Sequence, residues 1–161
     1  MLYNKLVMAK RKKTTSGSIS NRRARFDYEL GDSLIVGLQL SGAETKGLRQ
    51  SHGHLRGAYV TVKSDELWLI NATITGTNGA PIDESETTRA RKILAKRKEI
   101  DTLIAGKQQG KTIVPLEILT RGRYIKLRIS IGKGKKNYDK RQAMKAKDDK
   151  RRTQIELKAA R

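Results

Sequence analysis

A chain of 161 residues with 36 lysines and arginines against 16 acids carries a formal charge of +20. That excess is far more than solubility requires and points to a polyanionic partner, with nucleic acid ahead of an anionic membrane surface. The absence of cysteine excludes disulfides and thiolate metal sites, and no apolar run approaches the roughly 18 residues that would span a bilayer.

The length suits one domain with a modest core. Met1–Ala9 is too short and too weakly apolar for a signal peptide, and its cations follow rather than lead, so a cytoplasmic protein is expected. Met8-Ala9-Lys10-Arg11-Lys12 itself has the form of a translation start, which would set the first seven residues outside the protein. Residues 1–20 hold five cations (Lys5, Lys10, Arg11, Lys12 and Lys13) and no acid, whereas residues 133–161 hold 12 cations and four acids. The 112 residues between them carry only +7. Three parts follow: a disordered basic N-terminus over 1–20, a foldable body over 21–132 and a basic C-terminal tail over 133–161.

Asn21-Arg22-Arg23-Ala24-Arg25-Phe26-Asp27-Tyr28 sets three arginines beside two aromatics. It is either a solvated charge run anchored by Phe26 or a phosphate-binding edge with stacking groups. Leu34, Val36, Leu38 and Leu40 alternate as one face of a half-buried strand. After Ser41-Gly42 a short helix is predicted over Ala43–Gln50, with Glu44 in its first turn and Arg49 in its last. Ala58–Val62 and Leu67–Ile74 read as a hairpin about Ser64-Asp65. Tyr59 and Trp68 within it are core or cross-strand residues, or base platforms. Residues 75–85 form a loop. Arg89–Ile104 is predicted helical, with Ile93, Leu94, Ile100, Leu103 and Ile104 on one stripe and cations around the rest. Gly106–Gly110 ends it.

A second hairpin about Arg121-Gly122 joins Ile113–Leu119 to Tyr124–Ile131. In its last strand Ile125, Leu127, Ile129 and Ile131 face the core, and Lys126, Arg128 and Ser130 face out. Short antiparallel strands interrupted by helices define the expected fold class: mainly β with short helices, an OB-like antiparallel β-barrel with a flexible basic C-terminal tail.

The strand gives way to Gly132-Lys133-Gly134-Lys135-Lys136-Asn137-Tyr138-Asp139-Lys140-Arg141, with five cations, one aromatic and one carboxylate in ten residues. Its two glycines allow close approach to a phosphate chain, its cations attract one, and Tyr138 offers a stacking surface for an unpaired base. Composition alone would equally allow a lysine-rich linker. Beyond it only Tyr138, Met144, Ile155 and Leu157 are large and apolar. That is too little burial to offset an ordering entropy of roughly 1–2 kcal/mol per residue, so the tail is expected to be disordered alone and helical on a partner.

Residues suited to catalysis are few. Gly106-Lys-Gln-Gln-Gly-Lys-Thr112 resembles a phosphate-binding loop but is one residue short and follows a helix instead of a strand, so a helix end and turn explain it better. His52 and His54 lack a third ligand, and a solvent-facing or RNA-contacting pair is the better account. The acids at Asp83, Glu84 and Glu86 fit a helix start, not a two-metal nuclease site. No catalytic residue, metal site or cofactor is expected. The competing readings are a structural ribosomal protein whose basic ends thread rRNA and a metal-dependent ribonuclease.

Asn21–Tyr28, Gly42–Arg49, Glu66–Asn71, Arg89–Leu94, Lys98–Asp101 and Gly134–Arg141 occur in one order that resembles the SsrA-binding protein family (small protein B, SmpB) across about residues 21–152. The resemblance implies an oligonucleotide-binding barrel that grips the tRNA-like domain of tmRNA and delivers it to stalled ribosomes. There the nascent chain is tagged and the ribosome released (trans-translation). The tail would become helical in the small-subunit decoding centre and the empty mRNA channel. RNA contacts implied by matching positions are Asn21, Leu94, Lys126, Gly134, Lys135 and Lys136. The neighbouring cations Arg22, Arg23, Arg25, Arg128 and Lys133 join them as candidates. Tyr138, Asp139, Lys140 and Arg141 are implied for the decoding centre. Ile35 stands where the family has a glutamate linked to RNA binding, and Phe26 where it has histidine. A monomer with tmRNA and ribosome partners and no membrane is expected.

Overall fold

The computed structural model describes residues 17–159, and every element below belongs to them. Strand β1 (Ser18–Ser20) leads through the one-turn helix α1 (Ala24–Asp27) into the long strand β2 (Tyr28–Leu38). Helix α2 (Gly42–Arg49) and the short strand β3 (Gly53–His54) follow. A hairpin of β4 (Tyr59–Lys63) and β5 (Glu66–Ile70) comes next, then β6 (Thr73–Ile74), a 3-10 turn at Glu84–Glu86 and β7 (Arg91–Leu94). Helix α3 (Arg97–Gln108), strands β8 (Thr112–Leu119) and β9 (Lys126–Gly134) and helix α4 (Asn137–Ala159) complete the chain.

The strands close on themselves. Hydrogen bonding runs in the order β8–β4–β5–β7–β2–β9, and β9 returns to pair with β8. Every pairing is antiparallel, β1 lies on β8, and β3 and β6 form a separate pair. Closure leaves few free edges, the general solution for a small all-β domain. The alternation read in β2 places Val36 and Leu38 in the core, and β9 contributes Leu127 and Ile129 beside them. The β4–β5 turn takes its shape from Ser64 (φ 51°) and Asp65 (φ 58°). Two left-handed central residues give the turn whose twist matches antiparallel strands.

Three expectations are corrected. The first concerns Arg89–Ile104, read as one helix. Arg91–Leu94 is instead strand β7, bridging β5 and β2 with Ile93 opposite both Leu67 and Leu38. Without it the facing edges of those strands would leave buried N–H and C=O groups unpaired. The helix starts only at Arg97, where the Glu99 carboxylate accepts the Lys96 backbone N–H at 2.8 Å. The second concerns disorder over 1–20: Ser18–Ser20 pairs with Glu117–Leu119, and Ile19 packs on the core. Residues 1–16 of that expectation lie outside the described residues.

The third concerns the far end of the chain. Strand β9 runs to Gly134, past the barrel limit read at 132; beyond it the tail, expected to be disordered alone and helical on a partner, is a continuous 23-residue helix in this structure. Lysine, arginine, alanine, glutamine and glutamate favour helix intrinsically, and Asp139 in the first turn accepts the Lys136 N–H at 3.3 Å. No residue of α4 is buried, so it is a helix without a core of its own.

Candidate nucleic-acid interface

Strand register fixes one lateral strip on the outside of the barrel. Leu94 of β7 sits opposite Gly37 of β2, and Gly37 opposite Lys126 of β9. One row away, Ile35 faces Arg128, Arg128 faces Glu117 of β8, and Glu117 faces Ser20 of β1. Partners across an antiparallel ladder point to the same side, so residues spread over more than a hundred positions share a surface. Five strands at about 4.8 Å spacing give a strip of roughly 19 Å. Leu94 is 51% exposed and Ile35 49%, an apolar step flanked by cations. Lys126 is exposed, while Arg128 donates to the Glu117 carboxylate at 3.0 Å. Lys126 is therefore the stronger free cation of the two.

Asn21 follows directly on this strip. Its backbone N–H donates to the Leu116 carbonyl at 2.7 Å and its side-chain amide to the Pro115 carbonyl at 3.0 Å. These bonds lock the chain against β8 just before α1. Arg22, Arg23 and Arg25 are exposed there, and only Ala24 of the turn is buried. Two open clefts of about 450 and 470 Å³ meet at Asn21 and Arg23, and both are also lined by Arg56. Sequence reasoning missed Arg56. Its only local sign is a cation before Gly57, and a lone cation gives no reason to place it opposite α1.

The end of β9 builds a third group against α1. Lys133 and Gly134 pair with Glu29 and Tyr28 of β2. The Lys135 N–H donates to the Asp27 carbonyl at 2.9 Å and its ammonium to the Arg25 carbonyl at 3.0 Å. Lys140 reaches the Asp27 carboxylate at 3.0 Å. Lys136, Tyr138 and Arg141 are exposed, and the Tyr138 hydroxyl accepts the Gln142 amide at 2.7 Å. A cavity of about 860 Å³ separates α4, at Met144, Lys147 and Arg151, from Arg22, Arg23 and Phe26. Asn21–Arg25 and the root of the tail thus form one cationic quarter. Leu94, Lys126 and Arg128 occupy the strip at the other end of β9.

Two ambiguous aromatics are half-resolved by the same register. Trp68 is half-buried between Thr61 and Lys92, and Tyr59 is exposed opposite Ile70. His52 stands with Nδ1 3.2 Å from the Gly76 carbonyl, and His54 lies exposed on β3. The loop-like segment Gly106–Thr112 is the end of α3 and its turn, with Gly110 at φ +77°. Among the described residues, no group of three or more His, Asp or Glu side chains is arranged to hold a metal ion, and no helix is long and apolar enough to cross a membrane.

Glu44 is a structural acid. It is buried in α2, closes the Ser41 capping box, and receives Arg89 at 2.6 and 2.8 Å and Arg91 at 2.8 Å. Burial alone would raise its pKa. Hydrogen bonds from Arg89 and from the Ser41 N–H, with the charge of Arg91, outweigh burial and hold it below the ordinary carboxylate value.

A closed basic barrel with a cationic outer strip and a helical cationic extension defines a class: the small antiparallel barrels that present a strand face to nucleic acid. The chain belongs to the SmpB protein family, whose family model matches residues 18–159. It is 43% identical over 143 residues to the SsrA-binding protein of Maricaulis maris, covering 88% of this chain and 92% of that one. To the SsrA-binding protein of Ruegeria sp. it is 40% identical over 155 residues, covering 94% and 98%. Its fold is similar, with a TM-score of 0.63 and 32% identity, to a chain solved in "tmRNA-SmpB: a journey to the center of the bacterial ribosome". That alignment covers 75% of this chain and 86% of the other.

Proposed function

We propose that this chain is the RNA-binding adaptor of trans-translation: it binds the tRNA-like domain of tmRNA and delivers it to stalled ribosomes in the cytoplasm. No catalytic step is assigned to it. In this reading the outer strip of Leu94, Lys126 and Arg128, continued through Asn21, Arg22, Arg23 and Arg25, grips the RNA. Lys133, Gly134, Lys135 and Lys136 form the transition to the tail. Tyr138, Asp139, Lys140 and Arg141 act at the decoding centre, with α4 in the mRNA channel.

The observation that carries this division is the path of β9. One strand presents Lys126 on the outer strip and, at its other end, passes directly into the tail. A single rigid element therefore fixes the RNA-holding surface relative to the ribosome-probing helix.

Substitutions at the two ends test it. Lys126→Ala should weaken binding to the tRNA-like domain and reduce the salt dependence of log K by about one phosphate's contribution, roughly 0.7–0.9. Lys135→Ala with Lys136→Ala should leave that affinity largely intact while abolishing tagging of stalled products. Normal tagging by the double variant would refute the assigned roles.

A further inference from the structure

Tyr124 adjoins the Lys126 end of the outer strip but has no part in either surface described above. It lies at the tip of the β8–β9 hairpin, 67% exposed, with the Arg123 guanidinium 5.5 Å from its ring centroid. The tip is held in place from both flanks. Arg49 of α2 donates through Nη2 to the carbonyls of Gly122 and Arg123 at 3.1 Å each. On the other side the Thr120 N–H donates to the Gly17 carbonyl at 2.8 Å, and the Arg121 side chain fills the space that a Cβ on Gly17 would need. Gly122 takes φ +93°, the conformation that lets the turn close. Ile125 then plunges into the core, so the ring beside it projects from a fixed base.

An exposed tyrosine so firmly presented gains nothing for the core by being aromatic. Its surroundings are cationic: Arg49, Arg121, Arg123 and Lys126 are all exposed, and between Glu117 and Asp139 the sequence contains no acid. A flat ring bordered by guanidinium groups suits a ligand that is planar on one part and anionic on the next, which describes a nucleotide that is not base-paired. An acidic peptide would use the arginines but leave the ring idle.

We propose that the Arg121–Tyr124 tip is a further RNA-binding site, in which an unpaired nucleobase stacks on Tyr124 while Arg121 and Arg123 hold the adjacent phosphates. This rests on the RNA-binding reading above and adds to it a site selective for single-stranded over paired RNA. The outer strip at Lys126 has no exposed aromatic with which to make that distinction.

The test uses the full chain and its Tyr124→Ala and Tyr124→Phe variants, with circular dichroism confirming equal folding. Fluorescence anisotropy measures binding to labelled oligoadenylate, to a blunt RNA duplex of equal length and to oligoglutamate. Measurements are made at elevated salt, where the phosphate contribution is suppressed. Tyr124→Ala should weaken oligoadenylate binding about ten-fold, the loss expected for one stacked base, and leave the duplex unchanged. Tyr124→Phe should bind oligoadenylate like the parent chain. The site is overturned if Tyr124→Ala binds oligoadenylate within about two-fold of the parent. It is equally overturned if the duplex weakens in parallel, or if the loss falls on oligoglutamate alone. Failure of the parent chain to bind the tRNA-like domain would instead sink the adaptor function, because the oligoadenylate comparison between variants stands without it.

Discussion

Arg91 has no exposed surface, yet it is fully engaged. It donates to Glu44 and to the carbonyls of Ala72, Glu86, Thr87 and Arg89. Glu44 and Arg91 together staple α2 to β7 and to both ends of the connection between β5 and β7, at Ala72 and at Glu86–Arg89. Losing one partner of a buried pair leaves the other charged in a dry site. Glu44→Gln should therefore lower unfolding free energy by about 3 kcal/mol, measured by urea denaturation. A loss below about 0.5 kcal/mol, typical of an exposed pair, would show the staple to be unimportant. The sign with pH follows from the depressed pKa of Glu44. The carboxylate contributes its full stability above the unfolded-state value, and that contribution is lost as pH falls through the lower folded-state value. The unfolding free energies of Glu44→Gln and the parent chain, measured by urea denaturation across a pH series, should accordingly converge as pH falls. In the sequence, Glu44 and the Arg89-Ala90-Arg91 triplet are legible only as separate motif matches. Nothing local joins residues 47 positions apart, and the helical reading gave Arg91 to solvent. Asn21 shows the opposite limit: its candidacy is legible, but its anchoring to Pro115 depends on strand pairing far along the chain.

At the scale of elements, alternation carried most of the fold. β2 and the β4–β5 hairpin were readable from alternation, and the β8–β9 hairpin from its apolar runs about Arg121-Gly122. In β9 Lys126 faces out as read, but Ser130 does not, being 1% exposed with its hydroxyl donating to the Gly31 carbonyl at 3.0 Å. β7 was not readable. In four residues, two apolar side chains next to each other and flanking cations fit a helix stripe as well as a strand, and only the need to join β5 to β2 decides between them. The tail was legible in composition, and its helix was expected on a partner. Sparse apolar content forecast the absence of burial, which the structure shares, while intrinsic propensity and the Asp139 contact produce a helix without it. Such a helix should be the least protected element. Its amides should exchange with solvent orders of magnitude faster than those of β2 and β9 in native-state hydrogen exchange, and equal protection would contradict that. The Lys140–Asp27 pair is partly exposed, with side chains at 27% and 33%. Asp27→Ala should thus free the first turn of α4 at a cost of about 0.5 kcal/mol or less and leave the barrel's melting temperature unchanged.

The whole molecule is a barrel whose closing strand doubles as the stem of its tail. From Lys126 to Gly134, β9 spans about 26 Å at the usual rise per strand residue. The outer strip at Leu94 and Lys126 and the hairpin tip therefore lie at one end, and the cluster from Lys133 to Arg141 lies at the other. Charge asymmetry along the sequence foretold a body and an arm. It did not foretell that the arm's root is tied to α1 through Asp27 and Arg25, since those contacts form only when the two ends of the body meet. The central claim is that the barrel alone holds the tRNA-like domain and the helix serves the ribosome. It is tested most directly by the affinity of a chain ending at Lys136 for that domain at physiological salt. A dissociation constant within about three-fold of the full chain's is expected, whereas a loss of about ten-fold or more, some 1.4 kcal/mol, would mean that the helix shares in holding the domain.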